Sequence, residues 1–283
     1  MDNRIVVGIS GKPSGESALN WALDYADAHH ADIEFVHVVD DRWATLTKSL
    51  SGTALLEAEH ELRSRVDQAS AGHPALHIHP TVLEGAPIDS LVERAEGAHL
   101  LVVGSHELGR FQGLVFSTRA AHIAALSTAS VAVVPTAHEF SGSGVVVGVD
   151  GSASSVAALA FGAREADRLG QSLTAVYAWR ALTPWTTVDD EYDLTDPTDS
   201  DRLVLSEAAA GLADEYPDLP VDLVLSSALP ADALMNACLG ARLLVVGTHG
   251  RHGTAKIWLG SVSHELVLAM PCTVVVMKPA VTP

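Results

Sequence analysis

The stretch LLVVGSHELGRFQGLVFSTRAAHIAALSTASVAVV, from Leu100 to Val134, is echoed by LLVVGTHGRHGTAKIWLGSVSHELVLAMPCTVVVM, from Leu243 to Met277. The two align without a gap at an offset of 143. Further back, IVVGISGKPSGESAL (Ile5 to Leu19) matches VVVGVDGSASSVAAL (Val145 to Leu159). The chain is therefore read as a tandem repeat, and the repeat decides the fold before any single element does. It gives two domains, 1–137 and 138–283, each of about 140 residues and large enough for its own core.

Within each copy, apolar runs alternate with segments of helical spacing. In the first copy the strands are expected at Ile5–Ile9, Ile33–Val39, Leu76–Leu83, Leu100–Val103 and Val131–Val134. The helices are expected at Ser14–His30, Leu55–Ala69, Pro87–Ala95 and Arg119–Leu126. In the second copy the strands are Val145–Val149, Leu173–Trp179, Val221–Leu225, Leu243–Val246 and Thr273–Met277. The helices are Ser155–Leu169, Arg202–Glu215, Ala231–Leu239 and Ser261–Ala269. Continuous β-branched runs mark strands buried on both faces. Strands joined through helices imply right-handed crossovers and a parallel sheet covered on both sides. The expected fold class is α/β: two tandem five-stranded, doubly wound, Rossmann-like domains. Ligands in such sheets bind beyond the carboxyl ends of the strands, at a topological switch point. The Thr136–Gly144 linker is short, so the two domains are expected to pack on each other.

The net charge of −18 argues against nucleic acid as a partner. Much of that charge crowds into one segment: Asp189, Asp190, Glu191, Asp193, Asp196, Asp199 and Asp201. It is read as part of a surface loop from Trp179 to Asp201. No run of about 18 apolar residues exists, so no membrane span is expected. The start, MDNRIVVGIS, lacks the apolar stretch of a secretory leader, and a cytoplasmic location is expected. Cys238 and Cys272 are far apart in sequence and read as buried free thiols. The histidine-rich first half includes His77 and His79 on one strand face, but no Cys, Asp or Glu completes a ligand set there. No metal site is expected.

The second copy holds the chemistry. Strand Leu243–Val246 feeds Gly247-Thr-His-Gly250, and nine residues later Gly260-Ser261 opens a helix. Glycines remove the Cβ that keeps an anion off the backbone. Successive amides can then converge on it, and a helix start adds unpaired N–H groups and a positive dipole end. Ser261 offers a hydroxyl as cap or donor, and Arg251 and Lys256 bring positive charge. Asp150, after Gly148, supplies a carboxylate suited to ribose hydroxyls or an adenine amine. The patterns GxxxxGK[ST] and strand-linked GxGxxG are absent. No nucleophile–base pair stands out, so no catalytic residue is assigned.

The spacing of Gly247, Gly250, Gly260 and Ser261 resembles the nucleotide-binding members of the universal stress protein family. VVVGVDGSASS and PCTVVVMKP resemble that family's first and last strands. The resemblance spans nearly the whole chain in two copies and is similar to tandem actinobacterial members. It implies an adenine nucleotide alpha hydrolase-like domain, ATP as ligand, with or without Mg2+, and a homodimer. It places Gly247, Gly250, Gly260 and Ser261 on the phosphates, and Asp150 with Gly148 at the adenosine end. The backbone of Ala178 would meet adenine. Thr248, His249, Arg251, Val262 and Ser263 are secondary contacts. The function implied is a nucleotide-dependent regulator or sensor in the stress response. The alternatives are a slow ATPase or phosphotransferase, and a nucleotide-independent interaction scaffold.

The first copy departs from that pattern. Gly8, Val38, Gly104 and Thr118 remain as its counterpart contacts, but Glu107, Ser117 and Ser10 stand where the second copy has Gly250, Gly260 and Asp150. A carboxylate about 4 Å from a phosphate repels it by about 1 kcal/mol even in water. The first copy is therefore expected to carry a degenerate nucleotide motif.

Overall fold

The computed structural model describes residues 3–10, 13–40, 48–105, 118–136, 142–179, 197–248 and 259–279. The chain divides into two compact units, Met1–His138 and Glu139–Pro283.

The first unit runs β1 (Arg4–Gly8), α1 (Pro13–His29), β2 (Asp32–Val39), α2 (Lys48–Gly72) and β3 (Ile78–Glu84). It continues with α3 (Pro87–Arg94), β4 (Leu100–Gly104), α4 (Thr118–Leu126) and β5 (Ser130–Val134). Its strands lie in the order β3-β2-β1-β4-β5, and each neighbouring pair is parallel. The second unit runs β6 (Val145–Gly148), α5 (Ala153–Leu169), β7 (Leu173–Ala178), α6 (Asp199–Ala209), α7 (Leu212–Glu215) and β8 (Val221–Ser226). It ends with α8 (Pro230–Ala237), β9 (Leu243–Gly247), α9 (Ser261–Ala269) and β10 (Thr273–Met277). Its order is β10-β9-β6-β7-β8, again parallel throughout.

Both units are α/β with a fully parallel sheet, and the reason lies in the apolar runs. Ile5, Val6, Val7, Leu100, Leu101 and Val102 are inaccessible to solvent, as are Val145, Val147, Leu244 and Val245. Consecutive buried residues point to opposite faces, so helices must cover both sides. The direction in which successive strands are added reverses beside the first strand: between β1 and β4 in one unit, and between β6 and β9 in the other. Those are the switch points where such sheets leave a crevice at their carboxyl ends.

Several elements differ from the sequence expectation. Arg202–Glu215 is two helices. The chain breaks at Ala210 (ψ 130) and Gly211 (φ +90), a left-handed conformation in which glycine carries no Cβ penalty. Asp199 and Asp201 belong to α6 rather than to a loop. Thr198 caps that helix, and the Asp201 carboxylate accepts the Thr198 amide at 2.9 Å, closing a reciprocal capping box. Residues 180–196, with the rest of the acidic segment, lie outside the described residues. Helix α2 extends beyond Leu55–Ala69 at both ends, and β3 begins at Ile78 rather than Leu76. His77 and His79 are exposed. The ring of His29 packs against Tyr25, their centroids 4.2 Å apart.

One polar cluster is buried in the first unit. Glu34 on β2 is 2% exposed. It accepts from Arg4 at 2.7 Å, from Arg94 at 2.6 and 2.7 Å, and from the Thr81 hydroxyl at 2.5 Å. Burial pushes its pKa up, but the bonds from Thr81, Arg94 and Arg4 outweigh burial and hold it below the ordinary carboxylate value. Among the described residues, no helix is long and apolar enough to cross a membrane.

Candidate functional site at the carboxyl edge of the second unit

Three adjacent strands deliver the candidate residues. Parallel pairing sets β6 beside both β9 and β7, with Val147 opposite Val245 and Gly148 opposite Val176. Gly247, Gly148 and Ala178 therefore end neighbouring strands at one edge of the sheet.

Both strand-end glycines are explained by packing. A Cβ on Gly148 would stand 3.1 Å from Leu234 Cδ1 and 3.3 Å from Val246 Cγ1. One on Gly247 would stand 2.5 Å from Ser154 Oγ and 2.9 Å from the Ser154 carbonyl carbon. Gly247 thus lets the first turn of α5 sit directly on the end of β9. The positions where their Cβ atoms would stand are lined by Leu234 and Ser154.

The turn from β6 into α5 is held by its own side chains. The Asp150 carboxylate accepts the Ser152 amide at 2.9 Å, and Gly151 takes a left-handed φ of +79. Ser152 is the N-cap, its hydroxyl accepting the Ser155 amide at 3.2 Å. The Ser155 hydroxyl donates to the Ser152 carbonyl at 2.9 Å and receives the Asp150 amide at 3.3 Å. Asp150, half-buried, is thereby fixed in place with one carboxylate oxygen engaged by the backbone.

Strand β9 runs on into Thr248, which is buried. Its amide donates to the Met277 carbonyl at 3.1 Å, and its carbonyl accepts the Gly260 amide at 2.7 Å. The residues flanking the segment 249–258 are thus closed onto each other. The Ser263 hydroxyl adds a second tie, donating to the Gly247 carbonyl at 2.5 Å. Helix α9 therefore starts at the end of β9. Its N-cap is Gly260 (φ −59, ψ 152), and no side chain among the described residues caps it. Ser261 is the first helical residue, not the cap, and it is exposed. Val262 is half-buried and Ser263 buried. The opening amides of α9, with no acidic residue in its first turn, form a positive end suited to an anion. Lys278 follows Met277, the partner of Gly247 on β10, and burial lowers its pKa to about 8. His249, Gly250, Arg251 and Lys256 lie outside the described residues.

The contributions of Ser154, Leu234 and the α5 cap were not singled out in the sequence. The serine run Ser152-Ala-Ser-Ser155 was their signal.

The corresponding edge of the first unit differs. Gly8 packs on Leu91, where a Cβ would stand 3.2 Å from Leu91 Cδ1, and Gly104 ends β4. Val38 is half-buried and Thr118 opens α4, exposed. Ser10 replaces the aspartate, and Gly15 stands where the second unit has the bonding Ser155; a Cβ at Gly15 would meet the Ser10 backbone. The Ser105 carbonyl, counterpart of that of Thr248, accepts the Thr136 hydroxyl at 3.3 Å. Glu107 and Ser117 lie outside the described residues.

A repeated parallel α/β unit with this strand order defines a tandem Rossmann-like protein. The universal stress protein family model matches residues 1–135 and again 144–278, so the chain belongs to that family. A universal stress protein of Mycobacterium tuberculosis is similar at 30% identity, over 97% of this chain and 96% of its own length. One from Mycolicibacterium smegmatis is 26% identical over 97% of each chain. In fold, the chain resembles the crystal structure of a universal stress protein from Archaeoglobus fulgidus. That match has a TM-score of 0.70 at 16% identity and covers 99% of this chain and 100% of the other.

Proposed function

We propose that this protein is a cytoplasmic, nucleotide-dependent regulator of the stress response that binds ATP in its second domain. The domains are taken as 1–137 and 138–283. Gly247, Gly250, Gly260 and Ser261 hold the phosphates, with Thr248, His249, Arg251, Val262 and Ser263 beside them. Gly148 and Asp150 meet the adenosine end, and the Ala178 backbone meets adenine. The observation that carries this reading is the start of α9: uncapped by any described side chain and bonded through Gly260 to Thr248 at the switch point. An anion is the natural complement of such an end, because unpaired amides and the helix dipole act together.

Asp150 suits the sugar rather than the phosphates. It is anionic, and one of its oxygens is already engaged by Ser152. The described residues contain no group of three or more His, Cys, Asp or Glu placed to hold a metal ion. Any Mg2+ would therefore arrive with the phosphates and screen them. The first domain, with Glu107, Ser117 and Ser10 in place of Gly250, Gly260 and Asp150, binds nucleotide weakly or not at all. Bound ATP would set the conformation of the 249–258 segment and through it the choice of partner.

Denaturing extraction of freshly purified protein, with chromatography of the released nucleotide, tests the ligand class. ATP or ADP at a substantial fraction of one per chain supports the reading. Protein with no nucleotide that also fails to take up added ATP would favour a nucleotide-independent scaffold.

A further inference from the structure

Cys238 and Cys272 are 34 residues apart in sequence, but the fold brings them together. Cys238 is the C-cap of α8, its amide donating to the Leu234 carbonyl at 2.9 Å. Its carbonyl accepts the Ala241 amide at 3.0 Å, so the chain turns at once into β9. Strand β9 pairs with β10 in a register that sets Leu243 opposite Thr273. Cys272 immediately precedes Thr273, so it lies at the same end of the sheet as that turn. Both are free thiols, close enough to interact, and the Cys272 Sγ donates to the carbonyl of Thr273 at 3.5 Å. Cys238 is 1% exposed and Cys272 is inaccessible.

The repeat shows that the fold does not need sulfur at either place. The counterparts in the first unit are Ala95 and Ala129, both buried. Ala95 is the C-cap of α3, and its amide donates to Leu91 at 3.0 Å. The Ala98 amide returns to Ala95 at 3.0 Å, as Ala241 does to Cys238. The same cap and turn are therefore built once with two alanines and once with two thiols. Neighbouring thiols have a chemistry that neighbouring alanines lack.

We propose that Cys238 and Cys272 form an oxidative modification site, a dithiol that a hydroperoxide converts to an intramolecular disulfide. One sulfur attacks the peroxide O–O bond. An S–O bond forms, the O–O bond breaks, and water or alcohol leaves, giving a sulfenic acid. The second sulfur then attacks the first. The S–S bond forms, the S–O bond breaks, and the displaced hydroxide takes the second thiol's proton to leave as water. Two thiols are oxidised and one peroxide is reduced, with no further reactant.

Burial sets the rate of this reaction and proximity sets its product. Hydrogen bonding to Cys238 and burial push the Cys272 thiol up, so it keeps its proton and resists reaction in the closed structure. Access requires local opening around the turn after α8, where the Gly240 carbonyl accepts the Ser143 amide at 2.9 Å. There Leu239 is 83% exposed and Gly240 takes φ +79. Once one sulfur is oxidised, its nearest reductant is the other. The site lies at the opposite end of the strands from Gly148 and Gly247, so it needs no change at the nucleotide site.

The test treats the full chain with hydrogen peroxide at neutral pH. Remaining thiols are then blocked, and the protein is digested without reduction for mass spectrometry. The expected result is a monomer lighter by two hydrogen atoms, a cross-linked peptide pair containing Cys238 and Cys272, and reversal by dithiothreitol. Cys238→Ala and Cys272→Ala, built on the alanines of the first unit, should fold and lose the two-hydrogen change. Sulfinic acid or intermolecular dimers from the wild type, as from the single variants, would overturn the proposal. So would thiols that stay unmodified under conditions that oxidise the urea-unfolded chain.

Discussion

Ser154 stands where a side chain on Gly247 would have to go, its Oγ 2.5 Å from that Cβ position. The end of β9 and the first turn of α5 are thus in direct contact, and the candidate site rests on that contact. In Gly247→Ala the new methyl also meets the Ser154 carbonyl carbon at 2.9 Å, which a rotamer change cannot relieve. Overpacking of this kind costs about 1–3 kcal/mol. Thermal unfolding should show the second unit destabilised by that amount, and ATP affinity should fall with it.

Gly260 has φ −59, a value proline adopts without strain. Gly260→Pro removes the amide that reaches Thr248 at 2.7 Å and drives the ring Cδ against that carbonyl, so the closure between the two residues must open. A lost hydrogen bond is worth about 1 kcal/mol, so ATP affinity should drop roughly fivefold or more. Calorimetric titration of the folded variant checks this. An unchanged affinity would separate the Thr248–Gly260 closure from binding.

Gly250→Glu copies Glu107 of the first copy into the second. Like charges in a partly desolvated site repel more strongly than in water. The variant should fold normally and lose measurable ATP binding. Binding at wild-type strength would remove Gly250 from the phosphate site.

Glu34 makes the first unit sensitive to acid. Its folded pKa lies below its ordinary value of 4.5, so the native state favours the ionised form. Its stabilisation is fully present above that ordinary value and is lost as pH falls through the lower, folded one. Glu34→Gln leaves Arg4 and Arg94 without their carboxylate. Breaking a buried pair costs several kcal/mol, but Arg94 is 45% exposed, so about 2 kcal/mol is expected. Denaturant unfolding should show the wild type more stable at pH 7 and the difference shrinking below pH 4.5.

The parallel order of both sheets was legible because strands such as Val145–Val147 are apolar without interruption. The repeat also doubled every such signal. The break at Gly211 was not legible, since helical spacing persists through Leu205 and Leu212 on either side of it. The glycines at the strand ends are visible in the sequence, but the packing that requires Gly148 and Gly247 is not. Their neighbours Leu234 and Ser154 approach only through tertiary packing. Asp150 reads as a ligand carboxylate, yet its bond to the Ser152 amide two residues on is a local turn that Asp-Gly-Ser favours. The meeting of Cys238 with Cys272 follows from the pairing of β9 with β10, which sequence separation conceals.

The proposed function turns on ATP binding by one of two similar domains. Isothermal titration of ATP with magnesium into the nucleotide-free full chain decides between one site, two and none. A stoichiometry near one, abolished in Gly250→Glu, is expected. A stoichiometry near two, or no heat of binding with protein shown to be folded, would contradict it.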